Sequence, residues 1–249
     1  MIELGVEANK LRLVIETVNT LVDETRVNIG EDKLDIKAID PSNVGMVHLS
    51  MKKDTFTKYE LDEDDDSEED KVIGVNLKRI SDFLQLCDSD DIVNLDIDKD
   101  VLYLKADNLT QNIPLLDLDN LNPVEPPTLD LPNNVKLSAK FLRKGVRAAD
   151  NITDHIVMTF EKDKFNIHGE DGNNKIDLEL NPSNFENYDI EEEGTTKYGL
   201  DYFNAMIKCI KDSYIINLEL KEDNPLMMDY DIDDDISVRF MLAPRISAE

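Results

Sequence analysis

The chain has 249 residues, 41% of them hydrophobic, with 55 acids against 27 bases and a formal net charge of -28. That length builds one large or two medium domains with room for a core, and the charge argues against general adhesion to polyanions. Two cysteines without CxxC spacing, Cys87 and Cys209, argue against a disulfide framework or thiolate metal site and predict core thiols of an intracellular protein.

In chain order, the first strong pattern is a helix over residues 9–22. Leu11, Val14, Ile15, Val18, Leu21 and Val22 form one apolar stripe, with Arg12, Glu16 and Asn19 opposite. Alternation at Val27-Asn28-Ile29 and Leu34-Asp35-Ile36-Lys37-Ala38 predicts strands with one wet face. The acidic run Asp62 to Asp70 does not fit a calcium loop: its sixth position is Ser67 where a glycine belongs, and its twelfth is Ile73 where a bidentate Glu belongs. It is expected to be a solvated hairpin loop, as is Asp231-Ile232-Asp233-Asp234-Asp235.

A second helix is predicted over 77–86 and a strand over Val93 to Ile97. Five of the nine prolines fall between Ile113 and Pro132, which rules out a central strand or helix there and predicts an extended connector. Its Leu115, Leu118, Leu121 and Val124 imply that one side is buried along the surface. A third helix follows over 138–151, with Leu142, Val146 and Ala149 inward. Strands at Ile176 to Leu180 and Ile216 to Leu220 bracket a fourth helix over 200–211.

The two halves repeat. At an offset of 131, Leu11-Arg12 falls on Leu142-Arg143 and Asp32 to Ile36 on Asp163 to Ile167. At an offset of 123, Leu77, Ile80, Phe83 and Leu84 fall on Leu200, Phe203, Met206 and Ile207. The change in offset fits an insertion at the acidic run. Duplication with divergence is the expected origin.

Charge divides along the same elements. The four helical windows hold ten bases (Lys10, Arg12, Lys78, Arg79, Lys140, Arg143, Lys144, Arg147, Lys208, Lys211) against four acids, while the other 199 residues carry 17 bases and 51 acids. A basic surface on four matched helices inside an acidic shell points to nucleic acid. Asp outnumbers Glu 35 to 20, as on a salt-adapted surface, yet Lys outnumbers Arg 20 to 7, which is less typical of one.

No catalytic residue is singled out. His48, His155 and His168 form no spaced pair and are expected to be structural; GxxxxGK[ST], GxGxxG and GxSxG are absent. No metal or cofactor is expected. With no apolar run long enough to span a bilayer, no signal peptide at Met1 and no nuclear import signal, the expectation is a soluble cytosolic protein.

Four motifs, Leu34 to Val47, Gly74-Val75-Asn76-Leu77, Leu115 to Asp119 and Leu242-Ala243-Pro244-Arg245-Ile246, occur in an order that resembles proliferating cell nuclear antigen (PCNA), the sliding clamp of archaea and eukaryotes. The resemblance runs from Met1 to Ile246. It implies an α+β fold of two similar domains, each with antiparallel sheets outside and two helices inside, and a closed head-to-tail homotrimeric ring around double-stranded DNA. On this reading the domains are 1–114 and 133–249, joined by a connector at 115–132. The ten bases above would meet phosphates, with Asp82 and Gln85 standing where the family often has a base.

The resemblance further implies a peptide pocket from Ile39, Val44, Met46, Leu121, Val124, Pro126, Pro225, Met241, Leu242, Ala243 and Pro244. Pro123 and Glu125 depart from the apolar residues usual in that connector. The subunit interface would join the edge strand Asp107 to Leu116, through Asp107, Leu109, Gln111 and Ile113, to Asn174 to Leu180 of the next subunit, through Lys175, Ile176, Leu178 and Leu180. Implied partners are a clamp loader, DNA polymerase, ligase and flap nuclease, with no membrane, in the archaeal cytoplasm at the nucleoid or in a eukaryotic nucleus. The rival readings are a subunit of a heteromeric or checkpoint-type clamp and an acidic salt-adapted hydrolase.

Overall fold

The structure, a computed structural model, describes residues 2–61 and 70–245. Residues 62–69 of the acidic run, and Ile246 of the tail motif, lie outside the described residues. Among the described residues, no helix is long and apolar enough to cross a membrane.

The first half runs β1 (Ile2–Glu7), α1 (Ala8–Asn19), β2 (Glu24–Ile29), β3 (Lys33–Ile39), β4 (Gly45–Lys52), β5 (Lys58–Glu60), β6 (Lys71–Asn76), α2 (Leu77–Leu84), β7 (Ile92–Asp98), β8 (Val101–Ala106) and β9 (Leu109–Pro114). The second runs β10 (Asn133–Ser138), α3 (Ala139–Asp150), β11 (His155–Phe160), β12 (Phe165–Asp171), β13 (Asn174–Leu180), β14 (Phe185–Asp189), β15 (Gly194–Gly199), α4 (Leu200–Ile207), β16 (Ile215–Leu220), β17 (Leu226–Asp233) and β18 (Ile236–Leu242). The order of strands and helices is identical in the two halves. The duplication read from two sequence offsets is a duplication of elements; α2, α3 and α4 fall inside their expected windows, and α1 begins one residue before its own, at Ala8.

Two compact units emerge, one holding residues 1–39, 47–126 and 233–237, the other 40–46, 127–232 and 238–249. In the first, a five-stranded antiparallel sheet has the order β5-β1-β7-β8-β9, and β4-β3-β2-β6 form a second run. In the second, β13-β12-β11-β15 form one sheet and β14-β10-β16-β17-β18 another run. Each unit closes over its own helix pair. Leu11, Val14, Ile15 and Val18 of α1 are buried, as are Ile80, Phe83 and Leu84 of α2; Leu142, Val146 and Ala149 of α3 and Phe203, Met206 and Ile207 of α4 repeat the arrangement.

Gly145 on α3 shows how closely helix and sheet approach. A Cβ there would lie 2.8 Å from Ile167 Cδ1 on β12 and 3.2 Å from Leu178 Cδ2 on β13, so glycine's helix penalty is accepted for contact with the sheet.

The connector differs from a purely extended segment. A single 3-10 turn at Leu118–Asn120, opened by the Asp117 side chain accepting from Asp119 N–H at 3.0 Å, interrupts it. Its apolar side is as expected, with Leu115, Leu118, Leu121 and Val124 half-buried. The acids at 231–235 fall at the end of β17 and in the turn to β18, the expected hairpin.

Candidate functional site

Within each unit the two helices pack on one another, and their amphipathic pattern turns the long basic side chains away from the core. Lys78 and Arg79 in the first turn of α2, Lys140, Lys144 and Arg147 on α3, and Lys208 and Lys211 just past α4 are all exposed. Among the described residues none of these seven forms an ion pair; Lys211 lies over the Tyr214 ring at 5.6 Å. Lys10 is half-buried, and its ammonium is 3.3 Å from Asp233.

Arg12 and Arg143 require a correction. Arg12 donates to Leu84 O at 2.7 Å and Cys87 O at 3.1 Å, at the C-terminus of α2. Arg143 donates to Ile207 O at 3.1 Å and to Ile210 O at the C-terminus of α4, with Nε 2.9 Å from Asp212 Oδ1 in an ion pair. These residues and their acceptors are related by the same two sequence offsets, so the device was duplicated with the domain. Each guanidinium caps carbonyls at a helix end, where Leu84 O and Ile207 O also accept a backbone N–H at 3.2 Å, and is directed there, not outward to a phosphate. Replacing either arginine with Ala is expected to lower stability by about 1–3 kcal/mol in urea unfolding, whereas Lys144→Ala should stay within about 0.5 kcal/mol of the parent.

The residues expected to receive a peptide fall on several segments. In the first unit, Ile39 ends β3, and Leu121, Val124 and Pro126 lie on the connector, all half-buried. In the second unit, Val44, Pro225, Met241, Ala243 and Pro244 are half-buried. There Ala243 N–H donates to Val44 O at 2.8 Å, fastening the tail to the loop at 40–46. Met46 and Leu242 are corrected: each is only 1% exposed, with its side chain in the core of its unit and not offered to a ligand.

Asp40, not singled out by sequence, organises that loop. Its carboxylate is 4% exposed and accepts from Ser42, Val44 and Gly45 N–H at 2.7, 2.7 and 2.6 Å and from Tyr202 Oη at 2.8 Å. Burial on its own would raise its pKa. The hydrogen bonds from Gly45, Tyr202, Ser42 and Val44 outweigh that and hold it below 3.8. The signal available in sequence was an aspartate opening Asp40-Pro41-Ser42-Asn43, the composition of an Asx-type turn.

The proposed interface strands are both sheet edges. β9 ends one sheet of the first unit and β13 ends one sheet of the second. β9 is shorter than expected. Asp107 lies in the turn before it with φ 47°, and Leu116 leaves the edge to bridge Gly74. Leu109 and Gln111 are half-buried in β9, and Ile113 is buried in the core. On β13, Lys175 is exposed and pairs with Glu170 at 2.8 Å, Ile176 and Leu178 are half-buried, and Leu180 is buried.

The histidines sit on carboxylates: His48 on Asp35 at 3.2 Å, His155 on Asp154 at 2.7 Å and His168 on Asp177 at 2.8 Å. His155, joined by Arg245 at 2.7 Å, lowers Asp154 to about 2.

Comparison with known proteins agrees over the whole length. The family model of the PCNA N-terminal domain matches residues 1–119 and that of the C-terminal domain residues 127–245. The chain is 34% identical to the DNA polymerase sliding clamp of Natronomonas pharaonis and 32% identical to that of Halobacterium salinarum, covering all of both chains in each case. Among solved structures, A. fulgidus PCNA bound to the C-terminal region of FEN-1 is 26% identical with a TM-score of 0.92 over all of both chains. PCNA from Thermococcus kodakaraensis superposes with a TM-score of 0.88, covering 98% of this chain and all of that one, at 24% identity. With both domain models matched in order along one duplicated chain, and whole-length relatives above 30% identity, this protein belongs to the proliferating cell nuclear antigen family.

Proposed function

We propose that the chain is a DNA sliding clamp that acts by topology, not catalysis. Three copies form a head-to-tail ring around duplex DNA and tether polymerase, ligase and flap nuclease, while a separate ATP-dependent loader opens and closes the ring. Head-to-tail contact joins two different surfaces, and rotation by a third of a turn closes the ring. The free edges of β9 and β13 are the two surfaces this reading uses. We read the domains as 1–114 and 133–249, which hold most of the first and second compact units respectively, and the protein works at the nucleoid.

The observation that carries the reading is the segregation of charge. Among the described residues, seven bases that form no ion pair sit on or just past the helices of a chain whose net charge is -28. Lys and Arg on helix surfaces meet phosphates without reading bases, which suits a clamp that slides. Partner peptides with a glutamine, an aliphatic residue and two aromatics would lie along Val44, Met241, Ala243 and Pro244 of the second unit, taking main-chain hydrogen bonds from the tail. Relatives named as DNA polymerase sliding clamps, and a neighbour bound to a piece of FEN-1, support both halves of the proposal.

The test is loader-dependent retention on circular DNA. Lys144→Glu combined with Arg147→Glu should leave the oligomer intact and shorten retention at least tenfold at about 0.1 M salt, where screening reaches only about 10 Å. Retention equal to the parent's would remove α3 from the DNA-facing surface.

A further inference from the structure

We propose that a row of three residues crossing three strands, Gly74 on β6, Arg26 on β2 and Lys37 on β3, is the seat that fixes the register of the connector, with Arg26 as its positioning residue. The inference rests on the reading that the connector forms one wall of the peptide groove. All its residues belong to the first unit.

Arg26 pairs with Gly74 across β2 and β6. On the other side, β2 and β3 pair Asn28 with Asp35 and Ile29 with Leu34, and continuing that register sets Arg26 opposite Lys37. Two cations directly opposite on neighbouring strands repel, so the row stands in need of acceptors. The connector supplies them. Arg26 Nε donates to Leu121 O at 2.5 Å and its Nη2 to Leu118 O at 2.6 Å, while Lys37 Nζ lies 3.5 Å from Glu125 Oε2.

Gly74 completes the seat from the other end. Its carbonyl accepts from Leu116 N–H at 2.8 Å, and a Cβ there would fall 2.7 Å from Leu116 O and 2.9 Å from Leu121 Cδ1. Only glycine lets the connector lie so close. Successive contacts at Leu116, Leu118, Leu121 and Glu125 therefore leave no freedom to slide by a residue. Among the described residues, 122–132 make no backbone–backbone hydrogen bond, so little else holds this stretch before β10. Arg26 carries most of the hold. Glu125 is 84% exposed, and such a surface pair contributes little, whereas a planar guanidinium spans two carbonyls at once in a way an ammonium does not.

The test combines amide hydrogen exchange of residues 116–125 without peptide and titration of a fluorescent peptide bearing the glutamine, aliphatic and two-aromatic pattern. Arg26→Gln should speed exchange across 116–125 and raise the peptide Kd about tenfold, with native mass retained and the melting temperature lowered by no more than a few degrees. Arg26→Lys should recover part of both. Leu121→Ala serves as the separate probe of the groove. If Leu121→Ala weakens the peptide and Arg26→Gln does not, the seat is refuted while the groove stands. Should Leu121→Ala bind as the parent does, the groove reading is lost, and exchange alone decides the seat: unaltered protection at 116–125 in Arg26→Gln overturns it, and faster exchange upholds it.

Discussion

Asp40→Ala should cost about 2–4 kcal/mol in thermal or urea unfolding and loosen residues 40–46 more than any other segment of the second unit. The loop is wound around this carboxylate. Three main-chain N–H groups and the Tyr202 hydroxyl point at its two oxygens, Asp40 N–H donates to Gly45 O at 2.9 Å, and Asn43 holds φ 56° within the turn. Removing the acceptor leaves these donors to find water in a site that admits little. Asp40→Asn should fall between parent and Ala, because the Oδ1 contacts to Val44 and Gly45 survive while an amide NH2 then faces the Ser42 N–H. A loss below about 0.5 kcal/mol for Asp40→Ala would show that the loop holds its shape without the carboxylate.

The same contacts set a pH dependence. Asp40 has a folded pKa below its ordinary value, so it contributes stability that is fully present above 3.8 and is lost as pH falls through the folded value. Asp35 adds to this in the first unit. Burial would raise it, but hydrogen bonds from His48, Lys33 and Ser50 together lower it well below the usual aspartate range. Stability should therefore begin to fall near pH 4 and keep falling in stronger acid. Asp40→Ala should flatten that acid limb, measured as melting temperature against pH.

Elements and their duplication were legible in sequence because burial dictates periodicity. Helix spacing at Leu11 to Val22 and strand alternation at Ile216 to Leu220 each report which face meets a core, and two offsets sufficed to align the halves. Side-chain destinations were less legible. Arg12 and Arg143 lie on the polar side of their helices by pattern, yet the guanidinium is long enough to bend onto a neighbouring helix end, and periodicity says nothing of a partner 72 or 64 residues away. Arg26 gives no signal in the sequence for the same reason. A lone cation in a strand pattern looks solvated until the segment that covers it, some 92 residues on, is in place. Met46 and Leu242 failed in the opposite direction: apolar residues beside a loop and a terminus fit a pocket lining and a core equally well, and only packing separates the two.

Proline placed singly at Gln111 and at Asn112 of β9 should have the largest effect on the assembly, and unequally. Successive strand residues direct their N–H groups alternately to the neighbouring strand and away from it. One substitution therefore removes a ladder bond to β8, where Gln111 pairs with Leu104 and Asn112 with Tyr103, and lowers the melting temperature. The other removes a donor only from the free edge, where a β13 from the next subunit would pair. By light scattering the parent should weigh about 85 kDa in molar salt, three copies of 28.4 kDa. The edge-facing proline should give 28.4 kDa at low and molar salt alike while melting close to the parent. Salt separates this from simple repulsion. With -28 charges per chain, screening that tightens from about 10 Å at 0.1 M to 3 Å at 1 M favours closure of the parent ring, but no amount of screening replaces a missing N–H. Two proline variants that both remain at the parent's mass would exclude β9 as a subunit edge and turn the search to the other sheet ends.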